Sequence, residues 1–178
     1  MAISILDFDQ FNKRGGYPLG YPANVRRFFA PQDDVHGALT YAVKSAIISL
    51  AVAMYGWDDD ELDQLFRDAW QKENLPVQIC LDKTQAAGVH EKELLAKWPQ
   101  DQIGNRIVIG QSVKHAISHT KLCVVDGILT IQGSTNWSLE GEEKQNNEMT
   151  IVWDPIFAAE ARSKIDLTHD EMVKQGGK

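Results

Sequence analysis

His119-Thr120-Lys121-Leu122-Cys123-Val124-Val125-Asp126-Gly127-Ile128-Leu129-Thr130-Ile131-Gln132-Gly133-Ser134-Thr135-Asn136 is the stretch on which the reading of this chain turns. Two apolar runs, Leu122 to Val125 and Ile128 to Ile131, flank Asp126-Gly127. An Asp-Gly pair between β-branched residues is the strongest short-range signal for a β-hairpin. Side chains alternate along a strand, so His119 and Lys121 share a face. Just past the second strand, Gly133 to Asn136 supplies a turn, a hydroxyl and an amide. A nucleophilic imidazole, an ammonium and neutral donors in one cluster suit a developing oxyanion. The competing reading is an edge hairpin carrying solvated polar residues.

The pattern H-x-K, four residues, D, six residues, G-S-x-N resembles the HKD signature of the phospholipase D superfamily, in its small single-motif endonuclease branch. His119, Lys121, Asp126, Gly133, Ser134 and Asn136 fall in register, and Glu148 follows downstream in Asn147-Glu148. The likeness extends to Ile47 through Asp82, where a buried strand ending in Tyr55, a helix and the strand Val77 to Asp82 echo the family pattern. About two thirds of the chain is covered, and the first 22 residues are not. The family's fold is an α/β/α sandwich.

On this reading His119 is the nucleophile toward phosphorus, and Lys121, Ser134 and Asn136 stabilise the charge that attack builds. Glu148, from a neighbouring strand, accepts from one imidazole nitrogen and leaves the other free. One residue more separates Asn136 from Glu148 than in short relatives, so Glu143 or Asn147 is an alternative to Glu148. Asp126 and Gly133 are structural within the motif. His115, Trp137, Tyr55 and Trp57 are candidates for substrate binding, the competing readings being a solvent-exposed loop histidine for His115 and a place in the core for the three aromatics. The reaction needs a second histidine as general acid. His90-Glu91-Lys92 is the other H-x-K, but it has Lys97 where the motif wants Asp and no G-S-x-N after it. An isologous homodimer that brings two copies of His119 together answers this, as the resemblance implies for single-motif members. The mechanism would run through a covalent phosphohistidine, with no cofactor and no metal. No C-x-x-C or H-E-x-x-H spacing offers a zinc ligand set.

The 178 residues fit one domain, with 43% hydrophobic and 24% charged residues, as in ordinary globular proteins. Cys80 and Cys123 lie inside apolar runs and read as buried thiols. The net charge of -7 does not advertise a nucleic-acid binder, although Arg26, Arg27, Arg106, Lys114 and Lys121 could still form a local basic patch. The N-terminus lacks the features of a secretory signal and no run is long enough to span a membrane, so a cytoplasmic protein without stable membrane association is expected.

Residues 1–23 read as an irregular arm pinned by Phe8, Phe11, Tyr17 and Tyr21, residues 24–172 as the catalytic domain, and 173–178 as a flexible tail. Within the domain the pattern predicts strands at Val25 to Ala30, Ile47 to Tyr55, Val77 to Leu81, Arg106 to Ile109 and Asn147 to Trp153. Helices are expected after Asp33 or Asp34, over Leu62 to Ala69, over Glu91 to Trp98, and from Pro155 to about Leu167. Strands alternating with helices imply an α/β fold, a mixed and largely parallel sheet covered on both faces. His36 and His169 read as helix-surface residues.

The substrate is a phosphodiester, DNA or RNA being favoured because no basic amphipathic helix or apolar tail points to lipid. A lipid phosphodiesterase of the cardiolipin type is the first alternative. A non-catalytic nucleic-acid-binding module is the second, and an intact His119, Lys121 and Asn136 argues against it.

Overall fold

The hairpin sits at the middle of the molecule. In the computed structural model, which describes residues 3–176, the strands are β1 (Val25–Ala30), β2 (Leu50–Met54), β3 (Val77–Asp82), β4 (Ile107–Gly110), β5 (Lys121–Val125), β6 (Leu129–Gly133) and β7 (Asn147–Trp153). They form one sheet in the order β1-β7-β6-β5-β2-β3-β4, with β5 as its central strand. β2, β3 and β4 pair in parallel and the other four pairings are antiparallel. Five strands therefore run one way, and only β5 and β7 run back. The sheet is mixed as expected, and most of its strands share one direction.

Five helices cover it: α1 (Val35–Lys44), α2 (Asp60–Gln71), α3 (Lys83–Ala86), α4 (Val89–Ala96) and α5 (Pro155–Lys174). Alternation along the strands sorts the core into two layers. Leu50, Val52 and Met54 of β2, with Cys123 and Val125 of β5, face α1 and α2. Ala51 and Ala53, with Leu122 and Val124, face α5 through Ala158, Ala161 and Ile165. Pro155 opens α5 behind an Asp154 cap, and the helix runs seven residues past the expected Leu167, because Thr168 and Met172 keep a buried face as far as its last turn. Of the tail expected over 173–178, residues 173 and 174 belong to this helix, and 177 and 178 lie outside the described residues. No described helix is long and apolar enough to cross a membrane.

Two local expectations need correction. Ile5–Phe11, expected to be irregular, is a 3-10 helix closed by a Ser4–Asp7 capping box, and fully buried Phe8 packs edge-on against Tyr41. Ile47 and Ile48, expected to start a strand, lie before it and are 63% and 61% exposed. The reason is Asp126. Its carboxylate accepts the backbone N–H groups of Ile47, Ile48 and Ser49 at 2.8–3.1 Å, and its own N–H donates to Ser49 O. Asp126 and Gly127 both have positive φ, 55° and 66°, as a type I′ hairpin turn requires. One side chain thus ties the hairpin tip to the turn before β2 and sets the register of the two central strands.

Asp126→Ala should lower stability by about 2–3 kcal/mol, since it removes a charged acceptor shared by three amides. A urea denaturation midpoint reads the loss, and Asp126→Asn should recover part of it.

Candidate active site

Strand direction gathers the polar residues at one end of the sheet. β2, β3 and β6 leave the core there, delivering Tyr55, Asp82 and Gly133 to Asn136, while β5 and β7 enter there, delivering His119, Lys121 and Glu148. Lys121 pairs with Met54, and Gly133 with Met149.

Tyr55 is the organising surface. The His119 ring lies against it at 4.5 Å between centroids, and the Lys121 ammonium stands 4.7 Å over the same ring. Gln85 Nε2 donates to the Tyr55 hydroxyl at 3.1 Å. His119 itself is exposed, and among the described residues neither ring nitrogen makes a hydrogen bond. Lys121 is 7% exposed, and its Nζ is buried without a hydrogen-bond partner among the described residues. Burial lowers its pKa from 10.5 to about 8, against the opposing pull of Asp82. Asp82, fully buried, accepts the Ser118 N–H at 2.6 Å and so anchors the loop that carries His119. Sequence reading passed it over, although an aspartate closing an apolar strand at the carboxyl end of a sheet is a signal.

The Gly133–Asn136 turn is held from both sides. A Cβ on Gly133 would lie 2.1 Å from Glu148 O, so only glycine lets β6 pass β7 here. Trp137 N donates to Gly56 O at 3.0 Å and Asp58 N to Trp137 O at 2.8 Å, which docks Asn136 beside Gly56. Asn136 Oδ1 is buried and unpartnered.

Several expectations change. Trp57 and Trp137, candidates for contacting substrate, are 4% and 2% exposed. Their rings meet edge-to-face at 4.8 Å and pack on Phe66, so they fix the turn from the core. Ser134, expected to donate to phosphate, donates instead to Asn147 Oδ1 at 2.9 Å and accepts from Glu148 N. Glu148 does not reach His119 within the chain: β6 lies between their strands, and its carboxylate stands 3.8 Å from Arg27. His115 is exposed in the turn at Ser112–Ala116, on the loop that leads to His119.

The basic patch does not assemble. Arg26 is buried against Asp9, Lys121 is buried at the site, and Arg106 lines a cleft with Leu50 and Val77 at the other end of the sheet. His169 is largely covered, its Nε2 2.7 Å from Asn105 O. His36 is not a free surface residue either. It stands among Asp59, Glu61 and Glu142, and those carboxylates hold it protonated far above its ordinary range. Glu142, expected in a solvated acidic loop, is buried.

The fold and the family are seen in known proteins. A family model described as cardiolipin synthase, PLD-like domain, matches residues 39–167. The fold is similar to a phospholipase D family member, Nuc, from Salmonella typhimurium, with TM-score 0.68 and 20% identity over 86% of this chain and 95% of that one. It is also similar to NucT from Helicobacter pylori, with TM-score 0.70 and 19% identity over 84% and 95%. Phosphatidylserine synthase from Haemophilus influenzae shares the fold at TM-score 0.63 and 12% identity, over 97% of this chain and 44% of that one. At such identities the likeness is one of fold. No curated protein matches the chain.

Lys121 should titrate near pH 8 in the free protein, its charge falling as pH rises through that value, and inorganic phosphate should move the midpoint upward. NMR of the side-chain εCH2 measures both. Gly133→Ala should destabilise by about 2–4 kcal/mol, read as a fall of several degrees in Tm.

Proposed function

The chain belongs to the phospholipase D superfamily of phosphodiesterases, and from that premise we propose that it is a nuclease cutting DNA or RNA at a site completed by a second copy of itself. The observation that carries this reading is the buried Lys121 ammonium, unpartnered and next to an exposed imidazole across one tyrosine ring. A desolvated cation without a counter-ion is a site for an anion, and the neighbouring ring nitrogen is free to attack it.

In the reaction, a His119 nitrogen attacks phosphorus and forms an N–P bond as the bond to the leaving oxygen breaks. Lys121 and the Asn136 amide oppose the charge on the non-bridging oxygens. The partner's His119 protonates the leaving oxygen, then takes a proton from the water that hydrolyses the phosphohistidine. The written steps need no metal at the phosphate. Exposed Val113 and Ile117 on the His119 loop, with Leu139 just beyond Asn136, give the rim an apolar surface suited to an isologous contact. In such a dimer Glu148, which makes no contact with the histidine of its own chain, would be available to orient the partner's His119. The likeness to Nuc and NucT along 95% of each supports a nucleic-acid substrate. Lipid phosphodiester transfer is the second reading, favoured by the description of the matching family model.

Labelled single-stranded DNA, double-stranded DNA, RNA and phospholipid vesicles, assayed side by side, decide between the two. Cleavage of nucleic acid but not lipid is expected. His119→Ala should cut the rate by about 10³-fold or more with the fold intact. Acid-labile phosphate should be trapped on wild-type protein and absent from the variant. Sedimentation should give about twice 20.0 kDa, and a fully active monomer would defeat the shared-site reading.

A further inference from the structure

Next to the phosphate end lies a second polar cluster that the proposed chemistry does not use. His36 in the first turn of α1, Asp59 before α2, and Glu142 on a π-helical turn at Glu140–Lys144 converge from three segments far apart in sequence. His36 Nδ1 is 2.7 Å from Glu142 Oε2 and 3.1 Å from Asp59 Oδ2. One donor atom from each residue lies within 4.8 Å of the other two. The Nδ1 proton can serve only one of the two carboxylates.

Two observations point to a cation site. Glu142 is 1% exposed, yet its second oxygen, Oε1, is buried with no partner among the described residues. A buried carboxylate oxygen left unsatisfied is costly, and a bidentate cation contact removes the deficit. On the other side of the ring, His36 Nε2 is 3.1 Å from Glu61 Oε2. A carboxylate that accepts from one ring nitrogen and frees the other for an ion is the arrangement that orients metal-ligating histidines. The cluster opens on a cleft of about 510 Å³, whose lining adds Asp58, Asp60, Glu140 and Glu143 and includes no lysine or arginine among the described residues.

We propose that His36, Asp59 and Glu142 bind one divalent transition-metal ion, Zn²⁺ or Mn²⁺, which takes the place of the His36 Nδ1 proton and releases it to solvent, with Glu61 orienting the histidine. Two carboxylates neutralise the ion's charge, and one imidazole among them favours these ions over Mg²⁺ or Ca²⁺. Donors on a shell of about 2.0–2.2 Å radius stand about 3–3.5 Å apart, so the two spacings from His36 Nδ1 need to open by only a few tenths of an ångström. Asp59 can ligate without giving up its helix cap, because Oδ1 accepts the Leu62 N–H while Oδ2 faces His36. The ion would tie α1 and α2 to the turn at Glu140–Lys144. That turn presses on the Asn136 backbone, since a Cβ on Gly141 would lie 2.5 Å from Asn136 O. The role is to hold the phosphate-binding turn in place, and it stands whether or not the nuclease reading does.

The test uses the full chain stripped with a chelator, titrated by calorimetry with ZnCl₂, MnCl₂, MgCl₂ and CaCl₂ in separate runs. One ion per chain is expected, with Zn²⁺ or Mn²⁺ at least tenfold tighter than Mg²⁺. At a hundredfold excess over Kd, Tm should rise by roughly 5–10 °C. Glu142→Gln and His36→Gln should each weaken binding at least tenfold, while Glu143→Gln on the same turn should not. Should those variants fail to fold, imidazole ¹⁵N NMR of the wild type reads the site directly, with Zn²⁺ shifting the His36 Nδ1 resonance and leaving His169 unmoved. No saturable binding to wild type, no shift at His36, or equal binding by folded Glu142→Gln and His36→Gln proteins would overturn the proposal.

Discussion

A single ammonium, withdrawn from water and left without a counter-ion, is the constraint around which the working end of this protein is organised. Lys121 begins the central strand, where its backbone is paired with Met54 of β2 and its side chain is held with it. The fold offers it the face of Tyr55 and the field of Asp82 but, among the described residues, no carboxylate within ion-pair distance. A cation in that position binds water poorly and an anion well. The same ring that receives the ammonium also receives His119, so charge and nucleophile share one reference surface.

Much of this was legible in the chain. The Asp126-Gly127 hairpin, the interior strand beside it, and the strands Val25–Ala30 and Asn147–Trp153 follow from short-range chemistry, which a one-dimensional pattern records well. That His119, Lys121 and the Gly133–Asn136 turn lie at one end of the sheet follows from spacing within a single hairpin and the turn after it. What the pattern could not carry was contact between segments distant in sequence. Asp82 reaches Ser118 across 36 positions, and His36 meets Glu142 across 106. Each of these residues looks locally like a strand end, a helix surface or a solvated loop. The tryptophans are ambiguous for the opposite reason: proximity in sequence to Asn136 and Tyr55 leaves cleft and core equally open, and burial decides for the core.

The reach of α5 is a milder case. Its last turns carry few strongly apolar residues, and the sequence alone gives little reason to extend the helix past Leu167. Thr168 and Met172 continue its buried face, and Gln175 then bonds the β4 exit at Gln111. Tertiary packing, more than intrinsic propensity, decides where such a helix stops.

The wide turn at Glu140–Lys144 closes with a bond from Gln145 N to Glu140 O, five residues back. A loop of that pitch takes up one residue more than an ordinary helical turn at its own site, without pushing the excess along the chain. β7 starts in phase with β6 after this turn, Gly133 opposite Met149. A segment that can lengthen without disturbing its flanks gives this scaffold a place to vary: new side chains can be tried beside the phosphate end while the strand carrying Glu148 keeps its footing.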